Sequence, residues 1–155
     1  MVFQRRTWVV ERVCWVIMGV LLAAALAGLL AAGPLSKTEA ADEAGLVHIE
    51  YERFQRNLKS SILRISLSPD ATSGRTAAIR MTGGLAADMK VEKIVPEPAE
   101  AKAAQDGIEF VFHIADTGKP AAVRFYLQPH KVGSLNGTVG LSGQQPVPLR
   151  SFVYP

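Results

Sequence analysis

Residues 108–115 read IEFVFHIA and show the clearest two-residue period in the chain. Large apolar side chains stand at every second position of this stretch: Ile108, Phe110, Phe112 and Ile114. Successive side chains of a β-strand point to opposite faces, so these four residues share one apolar face. The stretch therefore predicts a β-strand that supplies the centre of a hydrophobic core.

The same period recurs on both sides of this strand. Three further stretches alternate apolar and polar residues. Their apolar positions are Val47, Ile49 and Tyr51 in the first, Leu63, Ile65 and Leu67 in the second, and Val123, Phe125 and Leu127 in the third. Strands are predicted at residues 46–54, 61–68, 77–82, 89–95, 108–115, 122–127, 137–141 and 147–154. In the fourth of these strands, the period places Val91, Lys93 and Val95 on one face and Glu92 and Ile94 on the other.

Turn residues separate these strands, and Asp106-Gly107 is typical of a hairpin. The Ala-rich residues 99–105 are predicted to form one loose helical turn. Parallel strands need crossover helices, and no long amphipathic helix lies between the predicted strands. Seven or eight short strands in this arrangement indicate a mainly β fold, with one antiparallel β-sandwich (immunoglobulin-like) domain over residues 45–155.

The N-terminal region has a different character. Residues 13–32 are twenty apolar or small residues without charge. As a helix, that run would extend about 30 Å, the thickness of a bilayer's hydrocarbon core. We therefore predict a transmembrane helix over 13–33. Ala25-Leu26-Ala27 has the form of a cleavage site, so a removed signal peptide is the alternative; the length of the run favours a retained signal anchor.

Charge predicts the orientation of this segment. Residues 1–12 contain three arginines and form a basic segment predicted to stay in the cytoplasm, since basic flanks remain inside. Residues 34–44 are polar, lack periodicity and are predicted to be a linker. The domain 45–155 would then lie outside the cytoplasm. It holds 13 of the 17 basic and 10 of the 14 acidic residues, without the basic stripe of a nucleic-acid-binding protein, and we expect no nucleic-acid partner.

Few residues of the domain suggest chemistry. His48, Glu50 and Glu52 alternate on one strand face and could offer three ligands to a metal ion, but a solvated polar face is the simpler interpretation because no second ligand cluster accompanies them. Glu50 and Glu52 could also act as an acid–base pair in glycoside cleavage, although any strand with two acids meets that distance. Arg53 and Arg56 are their predicted charge partners.

The remaining candidates are isolated. His113 and His130 are predicted to be surface histidines, and the single cysteine, Cys14, excludes an internal disulfide and leaves no thiolate in the domain for a copper site. No Gly-rich phosphate loop or serine elbow is present in the sequence. We therefore predict no catalytic, cofactor-binding or metal-binding residue, no cofactor, and a protein that is not an enzyme.

Two segments carry a family resemblance. Gly33-Pro34-Leu35-Ser36 follows the apolar run, residues 49–54 read IEYERF, and the chain ends in an aromatic residue and proline. This layout resembles a group of short, uncharacterised bacterial single-pass membrane proteins. The resemblance implies a bacterial origin and the same anchored layout. Together with the orientation predicted from charge, it places the N-terminus inside the cytoplasmic (inner) membrane and the C-terminal domain in the periplasm. It transfers no catalytic residue.

These observations lead to a functional expectation. The sequence predicts a membrane-anchored extracytoplasmic structural or interaction module, and the alternative is a ligand-binding β-sandwich module of the cell envelope. The expected partners are the bacterial cytoplasmic membrane and another envelope or integral membrane protein. Contact with such a protein would run through the β domain or through the helix, where small residues recur every four positions from Gly19 to Ala31.

Overall fold

The computed structural model describes residues 2–26, 36–72 and 74–155. The first element is helix α1, Val2–Leu26. Contacts within the chain divide it into two units, Met1–Ser36 and Lys37–Pro155.

The described residues include no helix with the length and apolar character needed to cross a membrane. They therefore do not support the predicted transmembrane helix, signal anchor or membrane partner. Of the predicted span 13–33, residues 13–26 lie in the described helix. Residues 27–33 of that prediction, and residues 34–35 of the predicted linker, lie outside the described residues.

The second unit consists mainly of β-strands. Its described residues form β1 (Lys37–Ala41), β2 (Val47–Glu52), β3 (Phe54–Arg56), β4 (Ser61–Leu67), β5 (Thr76–Gly83), helix α2 (Gly84–Ala87), β6 (Met89–Val95), β7 (Glu100–Ala104), β8 (Gly107–His113), β9 (Ala121–Pro129), β10 (Gly133–Leu141) and β11 (Val147–Tyr154). The eight predicted strands are all present. The structure adds β1, β3 and β7, so the prediction of seven or eight strands was too low.

These strands form two sheets. Sheet I has the order β1-β2-β4-β9-β6, and sheet II has the order β3-β11-β10-β5-β8-β7. Every pairing is antiparallel except that of β3 with β11, which is parallel and makes sheet II mixed. The predicted mainly β sandwich is confirmed, and the three-residue pairing of β3 with β11 is the one departure from the predicted antiparallel arrangement among the described strands.

The core lies between the two sheets. Phe125 on β9 in sheet I is fully buried and contacts two aromatic rings of β8 in sheet II. Its ring centroid lies 5.3 Å from that of Phe110 and 6.2 Å from that of Phe112, both in edge-to-face geometry. The predicted inward faces of β2, β4, β8 and β9 are confirmed, because their alternate apolar residues belong to this one buried cluster.

Two segments without a strand prediction became edge strands. Within the predicted linker 34–44, Lys37–Ala41 forms β1 and pairs with β2. Within the predicted helical turn 99–105, Glu100–Ala104 forms β7 and pairs with β8. Both predictions were wrong for the same reason. Each segment meets the unpaired backbone groups of a core strand, and hydrogen bonding to that strand outweighs weak local propensity.

The predicted faces of β6 also needed correction. The pairing of β6 with β9 shifts register between Val91 and Lys93, which marks a β-bulge. The extra residue reverses the alternation, so Ile94 packs against the core while Val95 is 37% exposed. The sequence pattern had placed Val95 with Val91, because a strict period of two allows no inserted residue.

Candidate interaction surfaces

The polar residues of β2 face outward from sheet I. His48, Glu50 and Glu52 are partly exposed, and they alternate with buried residues of the same strand. Glu50 Oε2 lies 3.7 Å from Arg64 Nη1 on β4, and His48 Nε2 lies 3.4 Å from Glu39 Oε2 on β1. Over the part of the chain that the structure describes, no group of three or more His, Cys, Asp or Glu could hold a metal ion.

The predicted charge partners of these acids were wrong. No ion pair joins Glu50 or Glu52 to Arg53 or Arg56 among the described residues. The reason is that β2 ends at Glu52, and the chain then enters the other sheet, where β3 carries Arg56 beside β11. The basic residue beside Glu50 is instead Arg64, its register partner on the neighbouring strand.

Four charged residues form one continuous line across sheet I, which we call the charged row. Glu39, Glu50, Arg64 and Arg124 are successive register partners on β1, β2, β4 and β9. The row therefore contains two acids followed by two bases. Glu39 faces Glu50, and Arg64 faces Arg124, and like charges directly opposite each other are destabilising. Within the described residues, Arg124 has no ion-pair partner of its own.

A shallow groove runs along this row. It has a volume of about 410 Å³ and includes the exposed Ile62 and the half-buried Tyr126, both adjacent to the two arginines. Lys37 and Glu52 line its other end. The groove thus combines charged groups of both signs with the apolar Ile62 and two tyrosines, Tyr51 and Tyr126, a mixture that suits the binding of a polar ligand.

Sheet II presents a different outer face. Phe54 on β3 and Phe152 on β11 are register partners, so their side chains stand on the same outer face of two adjacent strands. Phe54 is 39% exposed and Phe152 is 48% exposed. Because β3 is an edge strand of three residues, this aromatic pair stands at the border of the sandwich. We call these two residues the aromatic pair.

The other titratable candidates lie at the surface. His113 and His130 are exposed, which confirms the prediction that both are surface histidines, and Cys14 is exposed on α1. On β7, Lys102 Nζ lies 2.9 Å from Glu100 Oε2, and this hydrogen bond, followed by the charge attraction between the two groups, raises the pKa of the Lys102 ammonium.

The chain matches no protein-family model and no curated protein sequence. In structure it is similar to a cohesin module from Clostridium perfringens ATCC13124 family 33 glycoside hydrolase. The TM-score is 0.48 at 10% sequence identity, and the similarity covers 75% of this chain and 98% of that module. At this score and identity, the similarity carries no argument about function, and the sandwich assignment rests on the sheets and the core described above.

Sequence reasoning identified part of these surfaces. It named His48, Glu50 and Glu52 but not Arg64 or Arg124, which join them only after β4 pairs with β2 and β9. The charged residues of β4 and β9 were visible as the outward positions of alternating strands. Their position beside the acids was not visible, because it depends on which strands become neighbours.

Proposed function

We propose that residues 37–155 form a non-catalytic interaction module that binds another protein through the outer face of sheet II. The observation that carries this proposal is the aromatic pair, Phe54 and Phe152. Exposed aromatic rings are enriched in the centres of protein interfaces, because each buries a large area with little loss of side-chain entropy. Two exposed aromatic residues on adjacent strands place more apolar area on one face than an isolated exposed apolar residue does, and isolated ones are common on protein surfaces.

The position of the pair also fits a binding role. Gln55 on β3 and its register partner Val153 on β11 are buried, so the backbone beneath the rings is held by the core. The rings are therefore presented on a rigid base, which lowers the entropy cost of binding. We place the module outside the cytoplasm as part of the proposal, supported by the arginines of the first twelve residues and the acidic character of residues 39–43.

The test is crosslinking in intact cells with the full-length chain, followed by purification and mass spectrometry. We expect a protein adduct with the unmodified chain, and loss of that adduct in Phe152→Ser. Val95→Ser is the matched control, because Val95 has nearly the same exposure as Phe54 but lies on the other sheet. An adduct that survives Phe152→Ser, or that Val95→Ser abolishes equally, would contradict a binding role for the aromatic pair.

The second candidate is a ligand-binding module of the cell envelope, and the groove on sheet I is the observation that favours it. A groove of about 410 Å³ lies within the usual range of small-molecule sites, but its floor is a shallow sheet surface rather than a deep cleft. A small molecule that copurifies with the chain and is lost in Tyr126→Ser, with Phe152→Ser as control, would favour this alternative over a protein partner.

A further inference from the structure

We propose that two copies of this chain associate face to face through the outer surface of sheet I, with the charged row of one copy lying on that of the other. The proposal concerns the opposite sheet from the aromatic pair and does not depend on the proposed partner protein. It follows from the order of charges in the row, which runs acid, acid, base, base across four adjacent strands.

This order is complementary to itself under a two-fold rotation. Consider an axis in the plane of the interface, parallel to the strands and midway between β2 and β4. The rotation places Glu50 over Arg64 of the second copy, and Glu39 over Arg124 of the second copy. Symmetry repeats both contacts, as in any isologous interface, so four opposite-charge contacts form together.

The rows beside the charged row are compatible with the same axis. The row on one side consists of Ala41, His48, Ser66 and Ala122. Three of these side chains are small and project little from the sheet. On the other side, the rotation places the Lys37 ammonium over the ring of Tyr126 in the second copy, a cation–π arrangement. The same rotation sets Glu52 opposite the exposed Ile62, so the favourable contacts of the interface are the four between opposite charges and those between Lys37 and Tyr126.

A second copy satisfies the row better than a small ion does. Each chain sets two acids side by side and two arginines side by side, and both pairs are repulsive. Among the described residues, the charges of the row are offset at Glu50–Arg64, 3.7 Å apart, and, when His48 is protonated, at Glu39–His48, 3.4 Å apart. An anion would relieve only the arginines, and a cation only the acids. A second copy of the face relieves both pairs at once.

The expected association is reversible and sensitive to salt. Four strands about 4.8 Å apart make a face roughly 20 Å wide, which belongs to the small interfaces typical of weak or transient complexes. Charged contacts at such an exposed surface are screened by salt. Analytical ultracentrifugation of the full-length chain in non-ionic detergent should show a monomer–dimer equilibrium that shifts toward monomer as the salt concentration rises.

Charge-reversal variants distinguish a contact between two copies from a contact within one chain. Glu39 and Arg124 lie three strand spacings apart, about 14 Å, so they can pair only between copies. We expect Glu39→Arg and Arg124→Glu each to raise the dimer Kd about tenfold or more, because symmetry applies each change twice. The double variant, and an equimolar mixture of the two single variants, should recover dimer. The matched control is Arg150→Glu, the same change at an exposed position of β11 in sheet II.

Several results would overturn the proposal: a monomer at all concentrations in low salt, single reversals that leave the Kd unchanged, or a double variant no better than the single ones. Association through α1 would give the second of these results, since no variant alters that helix. An equal loss in Arg150→Glu would show an effect of net charge alone. If circular dichroism shows that both single variants are misfolded, the salt dependence of the unmodified dimer is the test. A dimer whose Kd does not rise with salt concentration contradicts the charged interface.

Discussion

Replacement of Phe125 by alanine should be the most damaging change that truncates a single side chain of the β unit. Phe125 is fully buried and is the residue of sheet I whose ring meets both Phe110 and Phe112 of sheet II. Removing a buried phenylalanine ring costs about 3–5 kcal/mol, from lost transfer free energy and from the cavity that remains. The loss of two edge-to-face contacts places the expected value in the upper half of that range.

This loss is large compared with the total stability of a domain, about 5–15 kcal/mol. For a domain of this size, 1 kcal/mol corresponds to about 4 °C in Tm, so we expect Phe125→Ala to lower Tm by about 16–20 °C. Both tryptophans, Trp8 and Trp15, lie in α1, so their fluorescence does not report on the sheets. Differential scanning calorimetry, or the β signal of circular dichroism, is the suitable assay.

Phe152→Ala is the matched control for this experiment. The chemical change is the same, but the ring is 48% exposed and its removal opens a space to solvent rather than a cavity. Its free energy of unfolding should fall by no more than about 1 kcal/mol, a shift of about 4 °C or less. If the two variants lost equal stability, or if Phe125→Ala lost less than about 1 kcal/mol, the assignment of the core between the two sheets would be wrong.

Four further outcomes are expected. Tyr51→Ala should lower the free energy of unfolding by about 1–3 kcal/mol in urea titrations, because Tyr51 packs against the core; an unchanged midpoint would place its ring outside. Glu50→Gln combined with Glu52→Gln should change it by less than about 1 kcal/mol, and unfolding or release of a metal ion would instead reveal a site on that face. Gly107→Ala should destabilise the domain by about 1–3 kcal/mol in the same assay, because a Cβ there would collide with the backbone carbonyl oxygen of Met81; a neutral effect would contradict the close pairing of β5 and β8. A reporter fused to the C-terminus should be active only if it works outside the cytoplasm, and cytoplasmic activity would refute the predicted location.

The sequence alone predicted which residues of the candidate surfaces point outward, but not which of them lie next to each other. Alternation alone places Glu50 and Arg64 on outward faces, and it places Phe110 and Phe125 inward. The groove, the charged row and the aromatic pair each need two or more strands in a known order. Phe54 and Phe152 are almost a hundred residues apart in the chain, and only the parallel pairing of β3 with β11 brings them together. Local patterns contain no information about such partners.

The sequence by itself determined the short alternating strands, their turns, and therefore a two-layer β fold with its core residues, because burial of one strand face imposes a period of two on the side chains. The tertiary structure alone decided the sheet order, the parallel β3, the bulge in β6 and the edge strands β1 and β7. Strand β7 is exposed along most of its length, so no burial pattern marks it in the sequence. These features depend on backbone hydrogen bonds between distant segments, whose formation is selected by the whole chain and not by the residues that carry them.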